Sequence, residues 1–217
     1  MRAFKTEGIV LKRRDFGEAD RILVVFTLAR GKISVVAKGV RRITSRRAGN
    51  VELLNRVSMF LYPGKQLFTL TEATSIDTYQ KLKEDLTLST YAYHIIELVD
   101  KLTVEDQENR ILYELTVRVL ERLSANPRQI WVRAYEVKVL SNLGFLSFQD
   151  PQVSIPIHPK GVHWKLLRAL EVQSWDEIGE LRINGKEALE LERILRYYVE
   201  RLIEGKLKSR RFLKWTK

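Results

Sequence analysis

Cysteine is absent from this 217-residue sequence, and histidine occurs only three times. The absence of thiols excludes disulfide bonds, thiolate zinc sites and cysteine nucleophiles. A structural zinc ion needs about four ligands in a fixed geometry, and no nearby set of carboxylates completes such a site around His94, His158 or His163. The sequence therefore predicts a protein without a metal or any other cofactor.

Long apolar stretches are also missing. A membrane-spanning helix needs roughly twenty mostly apolar residues, and no run in the sequence approaches that length. Residues 1–8 carry two cations and one carboxylate, and they lack the apolar core of a signal peptide. We therefore expect a soluble, cytoplasmic protein.

The sequence also lacks the signatures of common catalytic sites. It has no Gly-rich phosphate-binding motif and no Gly-x-Ser-x-Gly nucleophile motif. Acidic residues cluster at 105–108 and 187–192, but such clusters are more typical of solvated helix faces than of a two-metal nuclease site. We expect a protein that is not an enzyme, with a metal-dependent nuclease as the less favoured alternative.

What the sequence has in excess is positive charge. Its formal net charge is +11, and this charge is unevenly distributed along the chain. Residues 1–80 have a net charge of +8 and residues 206–217 one of +6, whereas residues 81–205 carry −3. Cationic segments on both sides of a nearly neutral middle indicate a localised surface that binds a polyanion.

The most cationic stretch is Lys38–Arg47, which we call the basic loop. Five of its ten residues are Lys or Arg, and none is acidic. Between Asp20 and Glu52 there are eight Lys and Arg and no carboxylate at all. We therefore expect a cationic loop with no carboxylate near it, which is typical of nucleic-acid contact. The alternative is a charged loop that only keeps the protein soluble.

Residues 7–80 alternate between apolar and polar side chains, which is the pattern of β-strands. Turn residues separate the segments, most clearly at 29–32 and 63–65. The predicted strands are Gly8–Leu11, Arg21–Leu28, Ile33–Lys38, Val51–Tyr62 and Gln66–Thr78. Five strands joined by short turns favour a small closed barrel of the OB-fold type.

After Tyr79 the spacing of apolar residues changes to that of α-helices. The predicted helical segments are 88–102, 112–123, a segment from Asn126-Pro127 to Gly144, 163–172 and 186–203. Residues 145–162 hold three of the five prolines and are expected to be irregular. The sequence thus predicts an α+β protein, with a five-stranded OB-fold β-barrel domain at 1–80 and a mostly α-helical C-terminal domain at 81–217.

Two segments of the N-terminal half follow each other in a distinctive order and spacing. Glu7–Leu23 contains Lys12-Arg13-Arg14-Asp15-Phe16-Gly17-Glu18, and Gly31–Arg42 contains Lys38-Gly39-Val40-Arg41. At this spacing they resemble the opening strands and the Lys-Gly-x-Arg loop of the RecO family of DNA repair and recombination mediators. The resemblance is clearest over residues 1–80 and looser over the helical segments to 145 and over 209–213. It implies an OB-fold that binds single- and double-stranded DNA and anneals complementary strands, without catalysis.

The resemblance also implies partners and a location. Family members act with RecR and with the single-stranded-DNA-binding protein to load recombinase at gaps, in the cytoplasm at the nucleoid. Many of them carry a set of zinc-binding cysteines after the helical segment, whereas residues 142–166 of this sequence contain none. We therefore expect the irregular segment 145–162 to replace that zinc-binding region.

On this basis we predict the residues that contact DNA. The first group is the cations of the basic loop: Lys38, Arg41, Arg42, Arg46 and Arg47. The second group is Lys12, Arg13, Arg14 and Arg21, and a third group that could extend the surface is Lys206, Lys208, Arg210, Arg211 and Lys214. Candidate stacking platforms for bases are Phe16, Phe26, Tyr62 and Phe68. Phe26 shares a face with Ile22 and Val24, which favours the core for it. An RNA- or ribosome-binding OB-fold protein is the alternative, because phosphate contacts are common to DNA and RNA.

Overall fold

A computed structural model describes residues 2–146, 162–203, 207 and 209 of the chain. The chain divides into two compact units, Met1–Glu114 and Leu115–Lys217. The strands are β1 (Phe4–Phe16), β2 (Asp20–Thr27), β3 (Gly31–Ala37), β4 (Arg56–Tyr62) and β5 (Phe68–Asp77). The helices are α1 (Gln80–Glu84), α2 (Leu86–Leu102), α3 (Arg110–Ala125), α4 (Gln129–Asn142), α5 (Val162–Val172), α6 (Trp175–Glu180) and α7 (Gly185–Leu202).

The five strands form a closed barrel in the order β1-β2-β3-β5-β4, and β4 pairs back with β1. All neighbours are antiparallel except β3 and β5, which pair in parallel through Val35 opposite Phe68 and Val36 opposite Thr69. This is the connectivity of an OB-fold. The predicted α+β class, with a five-stranded barrel followed by helices, is therefore confirmed.

The barrel interior is filled with aliphatic side chains because alternate residues of each strand point inward. The buried cluster consists of Val10, Leu23, Val25, Ile33, Val35, Ala37, Val40, Val51, Val57, Met59, Leu61 and Leu70. Val40 and Val51 come from the segment between β3 and β4. That segment therefore takes part in the core as well as in the surface.

The first unit extends beyond the barrel because side chains tie the strands to the following helices. Phe26 on β2 is fully buried, with its ring 6.0 Å from that of Tyr113 on α3. The Lys32 ammonium on β3 donates to the carbonyl oxygens of Asp100 and Thr103, each at 2.6 Å. The predicted division into domains at 1–80 and 81–217 stays a prediction, and the first compact unit reaches Glu114.

Two strands differ most from their predicted limits. β1 continues to Phe16 rather than ending at Leu11, since Lys12–Phe16 pair with β2 beyond a bulge that follows Val10. β4 begins at Arg56 rather than Val51. The residues before it form a short 3₁₀ turn, and Leu54 has a left-handed backbone with φ of 73°. Buried Val51 and Leu54 look like strand residues in the sequence because both are apolar.

The long helices follow the predicted apolar spacing. α4 begins at Gln129, with Arg128 as its N-cap residue, so the predicted start at Asn126-Pro127 was two residues too early. The indole N–H of Trp131 donates to the Asn126 carbonyl oxygen at 2.8 Å and fixes the chain before the helix. α1 and α6 were not predicted, because helices of five and six residues are too short to show a period.

No helix within the described ranges is long and apolar enough to cross a membrane. The predicted irregular segment lies mostly outside the described residues, as do the C-terminal cations Lys206, Lys208, Arg210, Arg211 and Lys214.

Candidate nucleic-acid interface

The basic loop leaves the end of β3 through a tight turn. Gly39 has a φ of 65°, a left-handed conformation that glycine adopts without strain. Its N–H donates to the Asp20 carboxylate at 2.7 Å. The backbone N–H of Arg41 donates to the Ala19 carbonyl oxygen at 2.9 Å. The start of the loop is therefore fixed against the turn between β1 and β2, with Val40 buried beneath it.

The end of the loop is fixed by Arg47. Its guanidinium donates to the carbonyl oxygens of Leu70 at 2.8 Å and Thr71 at 3.3 Å on β5, and to that of Lys38 at 2.8 Å. The side-chain amide of Asn50 adds bonds to the carbonyl oxygens of Arg46 and Ala73, at 3.2 and 3.1 Å. Arg47 thus positions the loop, so its side chain is committed to the protein rather than offered to a ligand.

Carboxylates do approach the basic loop, so the prediction that none lies near it was wrong. Asp15 accepts from Arg21 at 3.0 Å and forms an ion pair with Arg41 at 3.3 Å. Glu52 accepts from Arg21 at 3.0 Å and also pairs with Arg13. The prediction considered sequence neighbours only, whereas strand pairing brings Asp15 opposite Arg21.

These ion pairs form one network in which three arginines share two carboxylates. The hydrogen bond from Arg21, reinforced by the charges of Arg41 and Arg13, holds the pKa of Asp15 below its ordinary value. Asp15 therefore stays ionised at neutral pH, and the network keeps an excess of one positive charge. It supports the surface beside the loop without cancelling its charge.

Four predicted cations are exposed and make no ion pair with any residue that the structure describes: Arg14, Lys38, Arg42 and Arg46. Three of them belong to the basic loop, and Arg14 lies near the end of β1. Lys12, by contrast, forms an ion pair at 2.5 Å with Asp100 on α2. The structure thus divides the predicted cations into two groups. Four have no ion-pair partner among the described residues, and the others make contacts within the protein.

The aromatic candidates also separate. Phe26 is buried, and Phe68 packs edge-on against Phe4, with ring centroids 5.5 Å apart. Phe16 and Tyr62 are each 52% exposed. Phe16 precedes Gly17, whose carbonyl oxygen accepts from Arg41 at 3.2 Å. Phe16 is therefore an exposed aromatic residue whose two chain neighbours, Asp15 and Gly17, contact Arg41.

The second unit contains an apolar groove that the sequence did not reveal. Its cavity volume is about 270 Å³, and it lies between α4, the residues after α6 and the start of α7. The residues that line it are Arg128, Gln129, Ile130, Arg133, Leu181, Ile183, Ala188 and Leu191. We call it the α4–α7 groove. Arg128 makes no ion pair with a described residue, which makes the groove suitable for a ligand that combines apolar groups with negative charge.

Arg133 is 2% exposed and is buried in the second unit together with Glu136. Its guanidinium donates to the Glu136 carboxylate at 2.6 Å, while its Nε has no hydrogen-bond partner among the described residues. Arg128 donates to the carbonyl oxygens of Gly179 and Leu181. Both arginines are thus held in place at the groove by the protein itself.

The described residues include no group of three or more His, Asp or Glu side chains that could hold a metal ion. His94 is fully buried in α2. His158 and the side chain of His163 lie outside the described residues.

The chain matches two descriptions of one known protein family. Residues 1–79 match the family described as "Recombination protein O N terminal". Residues 83–150 and 148–211 match "Recombination protein O C terminal". The two matches together span nearly the whole chain.

Several relatives carry the name "DNA repair protein RecO". The protein from Roseiflexus sp. is 31% identical over 98% of this chain and 85% of its own length. The protein from Pelotomaculum thermopropionicum is also 31% identical, over 98% of this chain and 94% of its own length. The Listeria innocua protein is 29% identical over 97% of this chain and 93% of its own.

Proposed function

The chain belongs to the recombination protein O family of DNA repair proteins, and from this premise we propose that it is a recombination mediator. It binds single- and double-stranded DNA without sequence specificity and anneals complementary strands. With RecR it helps to load recombinase at gaps. This activity needs no catalysis and places the protein at the nucleoid, in the cytoplasm.

The observation that carries the proposal is the set of free cations on a fixed loop. Lys38, Arg42 and Arg46 are exposed and have no ion-pair partner in the described part of the chain, and both ends of their loop are bound to the barrel. Phosphates are the natural ligands of such cations, and phosphate contacts carry no sequence information. A protein that holds only the backbone leaves base edges free to pair, which annealing requires.

Phe16 supports contact with single strands. A base stacked on an exposed aromatic ring gains roughly 1–3 kcal/mol, whatever its identity. Its chain neighbours Asp15 and Gly17 contact Arg41 of the basic loop, so an exposed aromatic residue is available close in sequence to that contact.

Strand annealing measured by fluorescence tests the proposal. Complementary labelled oligonucleotides should anneal faster with the protein, both when bare and when coated with the single-stranded-DNA-binding protein. With three or four phosphates neutralised, the logarithmic salt slope for single strands should be about −2 to −3. Binding to RNA without any acceleration of DNA annealing would favour an RNA-binding role instead. Labelled DNA incubated with magnesium or manganese should remain uncut.

Replacing Arg47 with lysine should weaken DNA binding without a loss of charge. The lysine cannot reach the carbonyl oxygens of Leu70, Thr71 and Lys38 together. We expect affinity to fall roughly three- to tenfold, because the loop loses its ordering bonds. Binding titrations over a range of salt concentrations measure this.

The matched control for Arg47→Lys is Arg42→Lys, which keeps a cation at an exposed position and should bind almost like the parent. The salt slope should not fall in either variant. Equal affinity of Arg47→Lys and the parent for DNA would show that the bonds from Arg47 to Leu70, Thr71 and Lys38 do not contribute to DNA binding.

For the α4–α7 groove, we propose the acidic tail of the single-stranded-DNA-binding protein as the ligand. The groove combines apolar side chains with Arg128, and such a tail offers apolar groups beside carboxylates. Replacing half-buried Ile183 with aspartate should lower the affinity for a fluorescent peptide of that kind at least about tenfold, because a like charge then faces the carboxylates. Fluorescence anisotropy measures the binding.

The control for Ile183→Asp is Val172→Asp, which places the same charge at an exposed position of the second unit. It should bind the peptide like the parent. Equal binding by both variants would exclude the groove as the peptide site, and DNA annealing of bare strands should be unchanged in either case.

A further inference from the structure

Ile43 stands at the tip of the basic loop, and no contact with a residue that the structure describes explains it. Its relative exposure is 105%, the highest of the exposed large apolar side chains in the described part of the chain. It occupies the second position of a β-turn closed by the Ser45 N–H on the Arg42 carbonyl oxygen at 2.9 Å. Turn tips normally carry Gly, Pro, Asn, Asp or Ser, so neither packing nor turn formation accounts for a β-branched apolar residue here.

The surroundings of Ile43 determine what can reach it. Arg42 is its neighbour in the chain, and Arg46 lies beyond the turn. A DNA strand whose phosphates contact Arg42 and Arg46 brings its bases within reach of Ile43, which lies between these arginines in the sequence. The branched side chain of Ile43 is stiff and the ends of its loop are bound to the barrel, so little freedom is lost when it is buried.

We propose that Ile43 enters between adjacent bases of bound DNA and unstacks them. Apolar side chains such as Ile, Leu and Phe act in this way in proteins that deform DNA. The burial of one such side chain offsets only part of the cost of unstacking a base step. Ile43 therefore changes the conformation of the strand more than its affinity. This inference rests on the DNA-binding function proposed above.

The same combination of cations and an apolar tip also suits an anionic membrane surface. DNA is the better partner because the chain belongs to a family of DNA repair proteins. A single isoleucine also contributes too little apolar surface to hold a protein on a membrane. Lipid binding is nevertheless an outcome that the experiment must separate.

The test uses the full-length protein and oligonucleotides that contain 2-aminopurine, whose fluorescence rises when its neighbours unstack. The parent protein should raise the fluorescence about twofold or more on binding, and Ile43→Ser should remove at least about half of that rise. Affinity should change less than about threefold and the salt slope should stay the same, because no cation is lost. Ile43→Leu should retain the effect.

The control is Val104→Ser, a change at another exposed apolar residue of the first unit. Its neighbour Glu105 pairs with Lys32 at the start of β3, about 20 Å of strand away from the basic loop. This variant should behave like the parent. A loss of fluorescence rise equal to that of Ile43→Ser would show a general effect of surface polarity and overturn the inference.

Other outcomes distinguish the role of Ile43 from the proposed DNA-binding function. Normal DNA binding with an unchanged fluorescence rise in Ile43→Ser would overturn the role of Ile43 and leave the proposed function intact. Absence of DNA binding by the parent would overturn the proposed function itself. Sedimentation of the parent with vesicles of anionic phospholipid, lost in Ile43→Ser and accompanied by no fluorescence rise on DNA, would identify a lipid surface as the partner and overturn the inference.

Discussion

Replacing Arg42 and Arg46 together with glutamate is expected to lower the affinity for single-stranded DNA roughly a hundredfold at about 0.1 M salt. Both side chains are exposed on the basic loop and make no ion pair with a described residue. The change removes two phosphate contacts and adds two repulsive charges at the same positions. These two arginines are a sharper choice than Arg41, which is engaged with Asp15 and Gly17.

Titrations at several salt concentrations measure the Arg42→Glu/Arg46→Glu variant. Its salt slope should be smaller than that of the parent by about 1.4, since each phosphate contact contributes about 0.7. The loss should be equal for DNA of any sequence. The unfolding temperature should barely change, because exposed loop charges contribute little to stability.

The matched control is Lys165→Glu/Arg168→Glu on α5, which makes the same change in net charge at two exposed cations of the second unit. It should bind DNA nearly like the parent. If the loop variant folds normally and still binds and anneals like the parent, the basic loop serves only to keep the protein soluble.

Replacing Glu136 with alanine is expected to destabilise the protein by about 3–5 kcal/mol, because it leaves the buried charge of Arg133 without its partner. The two side chains are 0% and 2% exposed, and their hydrogen bond measures 2.6 Å. The Nε of Arg133 already lacks a hydrogen-bond partner in the described part of the chain. Removing the carboxylate therefore exposes the full cost of a cation in an apolar environment.

Denaturant unfolding followed by circular dichroism measures this effect. The control is Glu190→Ala on α7, which breaks an exposed pair with Arg193 at the same i,i+3 spacing and should cost less than about 1 kcal/mol. The double variant Arg133→Met/Glu136→Leu should recover most of the stability, since an apolar pair of similar volume needs no neutralisation. Equal small losses in Glu136→Ala and Glu190→Ala would contradict a desolvated ion pair.

The barrel could be predicted from the sequence because its signals are local. Period-two alternation and turn residues identified all five strands, and the OB-fold connectivity followed. The limits of β1 and β4 could not be predicted, since charged residues such as Lys12 do not end a strand that has a partner. An apolar residue such as Val51 does not belong to the following strand when the backbone forms a turn at that residue.

The candidate interface could be predicted only in part, because its electrostatics are non-local. Arg21 and Glu52 are 31 residues apart in sequence and 3.0 Å apart in space. Arg47 binds a strand that is distant in sequence, whereas Arg42 makes no ion pair with any described residue. Neither fact can be read from the sequence around them. The α4–α7 groove escaped prediction for a similar reason, since it requires the packing of separate elements.

The contacts of Arg47 have a consequence for the timescale on which the barrel opens. β3 and β5 share only two residue pairs, and Arg47 joins Lys38, just after β3, to Leu70 and Thr71 on β5. Separation of β3 from β5 therefore also releases the end of the basic loop. Opening of this pair and release of the loop should occur together, at the same rate. A ligand that holds the loop should slow amide hydrogen exchange along β5, including at residues that the ligand does not touch.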